Sequence, residues 1–158
     1  MIKANISKIM KQQDVVNSLK LMPADRIVVP KKDLTLIQHH AVFLGHDLKG
    51  ESWIAENVID KGVTFIKATD FFKDSQEITR VERFSGNYYQ RKEAVDRAIS
   101  LRGKSYSLFG FNCEHYSNIV QKNTLKSGQV NVFLALLILV FLFLFFWKRN
   151  NSIFNYNI

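Results

Sequence analysis

Leu101-Arg102-Gly103-Lys104-Ser105-Tyr106-Ser107-Leu108-Phe109, running on to Asn112-Cys113-Glu114-His115-Tyr116, is the stretch on which the reading of this chain turns. Gly103 and Gly110 break the chain ahead of the cysteine. Glu114 to Gln121 reads as helix, with Tyr116, Ile119 and Val120 at core-facing spacing. The spacing therefore predicts Cys113 in the first turn of a helix. There the macrodipole and the free N–H groups favour a thiolate and bind an oxyanion. Cys113 is also the only cysteine in the chain. A lone thiol cannot close an intramolecular disulfide and is too few for a cysteine zinc site, so it is either a small buried hydrophobe or a nucleophile. Composition favours the first; the helix N-terminal setting favours the second.

His115 is the nearest candidate base, and geometry argues against it. Two residues along a helix is a rotation of roughly 200°, which sends the two side chains to opposite faces. A base must come from elsewhere, and the other histidines are His39, His40 and His46, all in one upstream segment.

The chain has 158 residues, which suits one small domain and an appendage. No charged residue occurs from Val130 to Trp147, and Val132 to Trp147 is unbroken Leu, Phe, Val, Ile and Ala with a closing Trp. About 18 residues at roughly 1.5 Å each give about 27 Å, enough to cross a bilayer core. A helix apolar on every side needs a larger protein to bury it, so a transmembrane anchor is expected here. Met1 to Leu21 is polar and carries lysines, without the apolar core of a signal peptide. The expectation is a catalytic part on the cytosolic side, in keeping with a single cysteine and a reducing compartment. Lys122 and Lys126 before the span balance Lys148 and Arg149 after it, so positive-inside counting states no preference.

The net charge of +8 falls wholly outside the span. A basic balance suits nucleic acid or an anionic membrane. The chain has no helix-turn-helix pattern, zinc finger or aromatic RNA platform, so a bilayer is the expected partner and nucleic acid is not.

Along the chain, Asn5 to Leu21 reads as an amphipathic helix ended by Pro23. Arg26 to Pro30 reads as a strand, and Lys31-Lys32-Asp33 as the start of a loop. Gln38 to Gly45 is a strand by its β-branched and aromatic content, Ser52 to Val58 its hairpin partner, and Val63 to Ala68 another strand. A short helix is expected around Phe71-Phe72, capped by Thr69 or Asp70. Ile78 to Phe84 reads as a strand, and Tyr89 to Leu101 as a helix with Ala94, Val95, Ala98, Ile99 and Leu101 inward. The fold class is α+β, a small antiparallel sheet with helices packed against it. On the Gln38 to Gly45 strand, His39, Ala41 and Phe43 share one face, and His40, Val42 and Leu44 the other. Both faces are apolar, so periodicity leaves open which histidine meets the cysteine helix. His46, at the turn, is expected to be exposed.

Three segments carry a resemblance: His39-His40-Ala41-Val42-Phe43-Leu44-Gly45, then Gly62-Val63, then Asn112-Cys113-Glu114-His115-Tyr116. In this order they resemble the lecithin:retinol acyltransferase-like (LRAT-like) family of the NlpC/P60 papain-like group, which includes tail-anchored phospholipase A/acyltransferases. The resemblance covers roughly Pro23 to Asn123, and the apolar C-terminal anchor is similar too. It implies an NlpC/P60-like, permuted papain-like fold. The domains it implies are an N-terminal extension (1–22), a catalytic domain (23–127), an anchor (130–147) and a short tail (148–158).

By that resemblance Cys113 matches the nucleophile, and His39, six residues before Gly45, matches the general base. His40 stands where the family usually has an aromatic residue. The family commonly places a second histidine on the next strand to orient the first, whereas here that strand reads Trp53-Ile54-Ala55-Glu56-Asn57-Val58. Glu56, or Asn57 as the alternative, is the expected third residue, accepting a hydrogen bond from the base. The implied chemistry is acyl transfer from a glycerophospholipid through a Cys113 thioester, with helix N-terminal amides on the oxyanion and water, an amine or an alcohol as acceptor. No cofactor or metal is expected, since one cysteine and scattered histidines make no ligand cluster. The other readings are an NlpC/P60-type cysteine peptidase or amidase, and a non-catalytic membrane-associated interaction protein.

Overall fold

The computed structural model describes residues 15–31, 34–74 and 77–154. The chain divides into two units, Met1–Lys126 and Ser127–Ile158. In the first unit the elements run β1 (Arg26–Lys31), β2 (Leu34–His46), β3 (Ser52–Val58), β4 (Gly62–Lys67), α1 (Ala68–Asp74), β5 (Arg80–Glu82), α2 (Tyr88–Ser100) and α3 (Cys113–Lys122). The five strands form one sheet of order β4-β3-β2-β1-β5, with every neighbouring pair antiparallel. The expected α+β class is what the structure has.

Alternation along the strands divides the core in two. Ile27 and Val29 of β1, Ala41 and Phe43 of β2 and Ile54 of β3 point to one face, packed by Val16, Leu21 and the α1 residues Phe71 and Phe72. Val42, Ala55 and Val63 point to the other, covered by Ala94 and Ala98 of α2 and by Tyr116 and Val120 of α3. The β2–β3 hairpin closes through Asp47, whose carboxylate accepts from the backbone N–H groups of Lys49 (2.8 Å) and Glu51 (2.9 Å). Between Phe43 and Gly45 the register slips by one residue, a bulge at the glycine of the resemblance motif.

Several expected boundaries move, each for a local reason. The strand expected over Ile78 to Phe84 is only Arg80–Glu82. Beyond it the Arg83 side chain and the Phe84 N–H turn to the buried carboxylate of Asp25 instead of continuing the ladder. The short helix begins at Ala68, directly out of β4, so Thr69 and Asp70 lie inside it rather than capping it. Strand β2 runs from Leu34 to His46 because β1 pairs with it as far as Lys31–Leu34, which puts Lys31 in a strand rather than a loop. Ile99, expected to face inward, is exposed. Of the helix expected over Asn5 to Leu21, residues 15–18 are helical; residues 1–14 lie outside the described residues, as do Lys32 and Asp33 of the expected loop.

Gly62 fastens the loop ahead of Cys113 to the sheet. Lys104 O accepts from Val63 N (2.9 Å) and Val63 O accepts from Gly103 N (2.8 Å). Gly62 has φ +68°, and a Cβ there would stand 2.4 Å from Lys104 O. Gly62→Ala is therefore expected to lose about 2 kcal/mol or more, from left-handed strain plus the clash. Gly50, at φ +77° with open space for 4 Å around the place a Cβ would take, isolates the strain alone. Thermal unfolding of the two variants should show the larger drop for Gly62→Ala; equal drops would mean the Lys104 contact does not hold the loop.

The second unit is α4 (Gly128–Phe154). Its stretch Gly128–Arg149, 22 residues with none of it buried, is long and apolar enough to cross a membrane. At about 1.5 Å per residue such a stretch measures roughly 33 Å.

Candidate active site

The Asn-Cys-Glu-His block folds as a reciprocal helix cap. Asn112 is the N-cap of α3, and its Oδ1 accepts from the backbone N–H of Glu114 and of His115, both at 3.0 Å. His115 Nδ1 in turn accepts from Asn112 N at 3.2 Å. Burial holds the His115 imidazole below its ordinary pKa, which suits a neutral ring with an acceptor nitrogen. His115 thus closes the cap, in keeping with the geometric argument against it as base.

Cys113 is the first residue of α3, and its thiol is free and buried. Sγ lies 3.9 Å from the carbonyl oxygen of Gln38 on β2. One residue on is His39, close enough that the Cys113 thiol helps to raise its pKa. The other side of the ring is held by Glu56 of β3, with His39 Nε2 and Glu56 Oε2 2.8 Å apart. With Nε2 engaged by the carboxylate, Nδ1 is the nitrogen left for the thiol. The side chains of His39 and Glu56 are only 18% and 13% exposed. Burial pulls the His39 pKa down, but the hydrogen bonds to Cys113 and Glu56 and their charges outweigh it and raise it to about 9. The arrangement favours a charged imidazole between a carboxylate and a sulfur.

The two residues weighed for the third position go to opposite faces. Glu56 reaches His39. Asn57, fully buried, donates from Nδ2 to Phe111 O at 2.6 Å and so fastens the segment two residues before Cys113. The two adjacent histidines also separate. His40 is buried on the face that α3 covers, where burial and then the Arg26 guanidinium push its pKa down to about 4. It belongs to a polar cluster in which Arg26 donates to Asn118 Oδ1 (2.6 Å) and pairs with Glu82 (3.2 Å). His46 is exposed, with Nδ1 3.0 Å from Ser52 Oγ.

His39 and Cys113 meet although α3 packs on the His40 face. Pairing of β2 with β3 ends at Ala41–Glu56, and the thiol comes to the β2 backbone just past that point, at Gln38. Tyr106, in the loop ahead of Cys113, feels the thiol's charge and was not singled out by any sequence motif. It is half-buried, and burial first, then the charge of Cys113, pushes its hydroxyl pKa up, which places it in the thiol's surroundings. Its position seven residues before Cys113 carries no periodic signal. Among the described residues, no three His, Cys, Asp or Glu side chains converge to hold a metal ion. Compared with protein-family models, with curated proteins and with solved structures, the chain has no significant match.

Proposed function

We propose that this protein is a membrane-anchored thiol acyltransferase or phospholipase A, of the LRAT-like kind, acting on glycerophospholipids. The observation that carries the reading is Glu56 and His39 2.8 Å apart on β3 and β2, with the Cys113 thiol, at a helix N-terminus, 3.9 Å from the carbonyl oxygen of Gln38, the residue before His39. The apolar helix Gly128–Arg149 supports a single-pass anchor, which would hold the enzyme beside a lipid substrate. A chain with a single cysteine agrees with a reducing compartment, so we place the catalytic unit on the cytosolic side.

In this mechanism the Cys113 proton resides on His39, and Glu56 stabilises the resulting imidazolium. The sulfur attacks the ester carbonyl and a tetrahedral oxyanion forms. The amides of Glu114 and His115 serve Asn112, so we assign the oxyanion to the N–H of Cys113 itself. Collapse breaks the ester C–O bond, His39 gives its proton to the departing lysophospholipid oxygen, and the acyl group remains as a Cys113 thioester. Water, an amine or an alcohol then loses a proton to His39 and attacks the thioester, releasing the acyl product and restoring the thiol pair.

Intact mass spectrometry tests this directly. The protein is mixed with micelles of phosphatidylcholine carrying two different acyl chains. A single added acyl mass is expected on the parent chain, absent from Cys113→Ala and strongly reduced in His39→Ala. A folded parent that shows neither adduct nor lysophospholipid would overturn the reading and return the cysteine peptidase and the non-catalytic interaction protein to the front.

A further inference from the structure

Where α3 ends, the first unit is tied together from several elements. Gln121, in the last turn of α3, donates from Nε2 to Ala24 O (2.9 Å) and to Glu82 O (3.1 Å), which sets that end of the helix against the start of β1 and the end of β5. Arg91, in the first turn of α2, donates to Pro23 O and Phe84 O, and Arg83 donates to Lys20 O (2.9 Å). Farther along, Tyr116 Oη donates to Ala98 O (3.3 Å), so α2 starts on the side where α3 ends. The same end of the unit therefore carries Lys20 and Met22, Arg83, the first residues of α2 and the last of α3.

Its exposed side chains are of two kinds. Tyr88 and Tyr89 are 76% and 75% exposed, their rings edge to face with centres 5.6 Å apart, and Met22 and Leu125 are more than half exposed. Around them Lys20, Arg83, Lys122 and Lys126 are exposed as well. Of the acids here, Asp25 is buried between Arg83 and Arg91, Glu82 pairs with Arg26, and Asp96 lies 3.6 Å from Lys92. Glu93 is exposed, and the cations around it leave the surface positive. Amphipathic tyrosine rings among lysines and arginines match the polar level of an anionic bilayer. The course of the chain points to the same partner. Lys126 O accepts from Asn118 Nδ2 (2.7 Å), which holds it beside α3, and Gly128 opens the stretch long and apolar enough to cross a membrane. Two residues span at most about 7 Å. A bilayer crossed by that stretch has its headgroups within reach of Lys126 and its neighbours.

We infer that Tyr88, Tyr89 and Leu125, with Arg83, Lys122 and Lys126, seat this end of the first unit on the headgroups of an anionic bilayer. The tyrosine rings and Leu125 lie at the boundary between headgroups and acyl chains, and the cations meet the lipid phosphates. The inference rests on the membrane-anchored reading above and does not require that acyl transfer occur.

The test uses the full chain in proteoliposomes of phosphatidylcholine and phosphatidylserine, with part of the phosphatidylcholine spin-labelled on its headgroup as the quencher. All proteins carry Cys113→Ala, so turnover cannot alter the lipid, and Trp53→Phe. One keeps Trp147 as the reporter of the span. The other carries Trp147→Phe and Tyr89→Trp as the reporter of the seat. The seat reporter is expected to be quenched several-fold, and adding Lys122→Glu and Lys126→Glu should remove most of that quenching while Trp147 stays quenched. A seat reporter that is unquenched while Trp147 is quenched would overturn the inference and leave the anchor standing, as would quenching that the charge reversal does not change. If neither reporter is quenched, the anchor falls and the seat with it.

Discussion

In Glu56→Gln, the His39 imidazole is expected to titrate well below about 9, and formation of the Cys113 acyl adduct at neutral pH to fall on the order of 100-fold. The raised His39 pKa, about 9, is set against burial by hydrogen bonds and charge from Cys113 and Glu56. Glutamine keeps a hydrogen-bonding oxygen at the same place but removes the charge that favours the imidazolium. The protonated ring is then less populated, the thiolate loses its counter-ion, and the ring is less firmly held in one tautomer. In the parent protein, adduct formation should therefore hold through neutral pH and decline as pH rises through about 9, when His39 loses the proton it gives the leaving group. In the variant that alkaline limb moves to lower pH. The same shift has a stability consequence. The folded value lies above the ordinary 6.5, so the native state holds more protons than the unfolded chain between the two values. The stabilisation is complete below 6.5 and is lost as pH rises through about 9. Nuclear magnetic resonance titration of the His39 ring, in the parent and in Glu56→Gln, measures the central quantity without any substrate. An unchanged midpoint in the variant would show that Glu56 does not support the imidazolium.

Local pattern made most of the first unit readable from the chain alone. β3 follows the expected Ser52 to Val58, and α2 and α3 lie within two residues of their expected ends, because turn residues and 3.6-residue periodicity bound each of them. The alternation of β2 was also readable, with His39 beside Ala41 and Phe43 and His40 beside Val42. It could not reveal which histidine meets the thiol. Helix α3 covers the His40 face, so a rule of facing surfaces points to His40, whose pKa falls to about 4 among Arg26 and its neighbours. His39 meets Cys113 because the thiol comes to the β2 backbone at Gln38, past the last β2–β3 pair. That is a fact of register and strand ends, which no window of sequence contains. Choosing Glu56 over Asn57 depended in the same way on a face assigned only once the strands were paired. The cap formed by Asn112 and His115 did have a local signal, a polar residue three positions after an N-cap asparagine. The truncation of β5 had none, since its cause is a carboxylate some 58 residues earlier in the chain.

That carboxylate carries the largest stability effect expected. Asp25 is fully buried, and its Oδ2 accepts from Arg83 Nη1 (2.7 Å) and Met22 N (3.0 Å). Its Oδ1 accepts from Arg91 Nη1 and Phe84 N, both at 3.1 Å. Burial pushes its pKa up, and the hydrogen bonds from Arg83, from the Phe84 and Met22 backbone and from Arg91 outweigh that and hold it below 3.8. Asp25→Ala leaves the Arg91 side chain, only 14% exposed, without its counter-ion and takes the acceptor from the part-buried amides of Met22 and Phe84. Removing one partner from such a buried pair costs about 3–5 kcal/mol, a large share of a small domain's stability. Asp25→Asn keeps the shape and should lose less. Because the folded pKa is depressed, the stabilisation is present above 3.8 and is lost as pH falls through the folded value, so the parent and Asp25→Ala should converge in acid. Denaturant titration of the full chain in detergent at neutral and at acid pH measures both. A neutral-pH loss below about 1 kcal/mol would mean that the buried network relaxes around the missing carboxylate. The consequence reaches the thiol, because Arg91 anchors the start of α2, and α2 supports α3 through Arg97 Nη2 to Val120 O (2.8 Å) and Tyr116 Oη to Ala98 O (3.3 Å). Loosening Asp25 loosens the helix that presents Cys113, so in Asp25→Ala the rate of Cys113 alkylation should lose its dependence on His39 before the sheet itself unfolds.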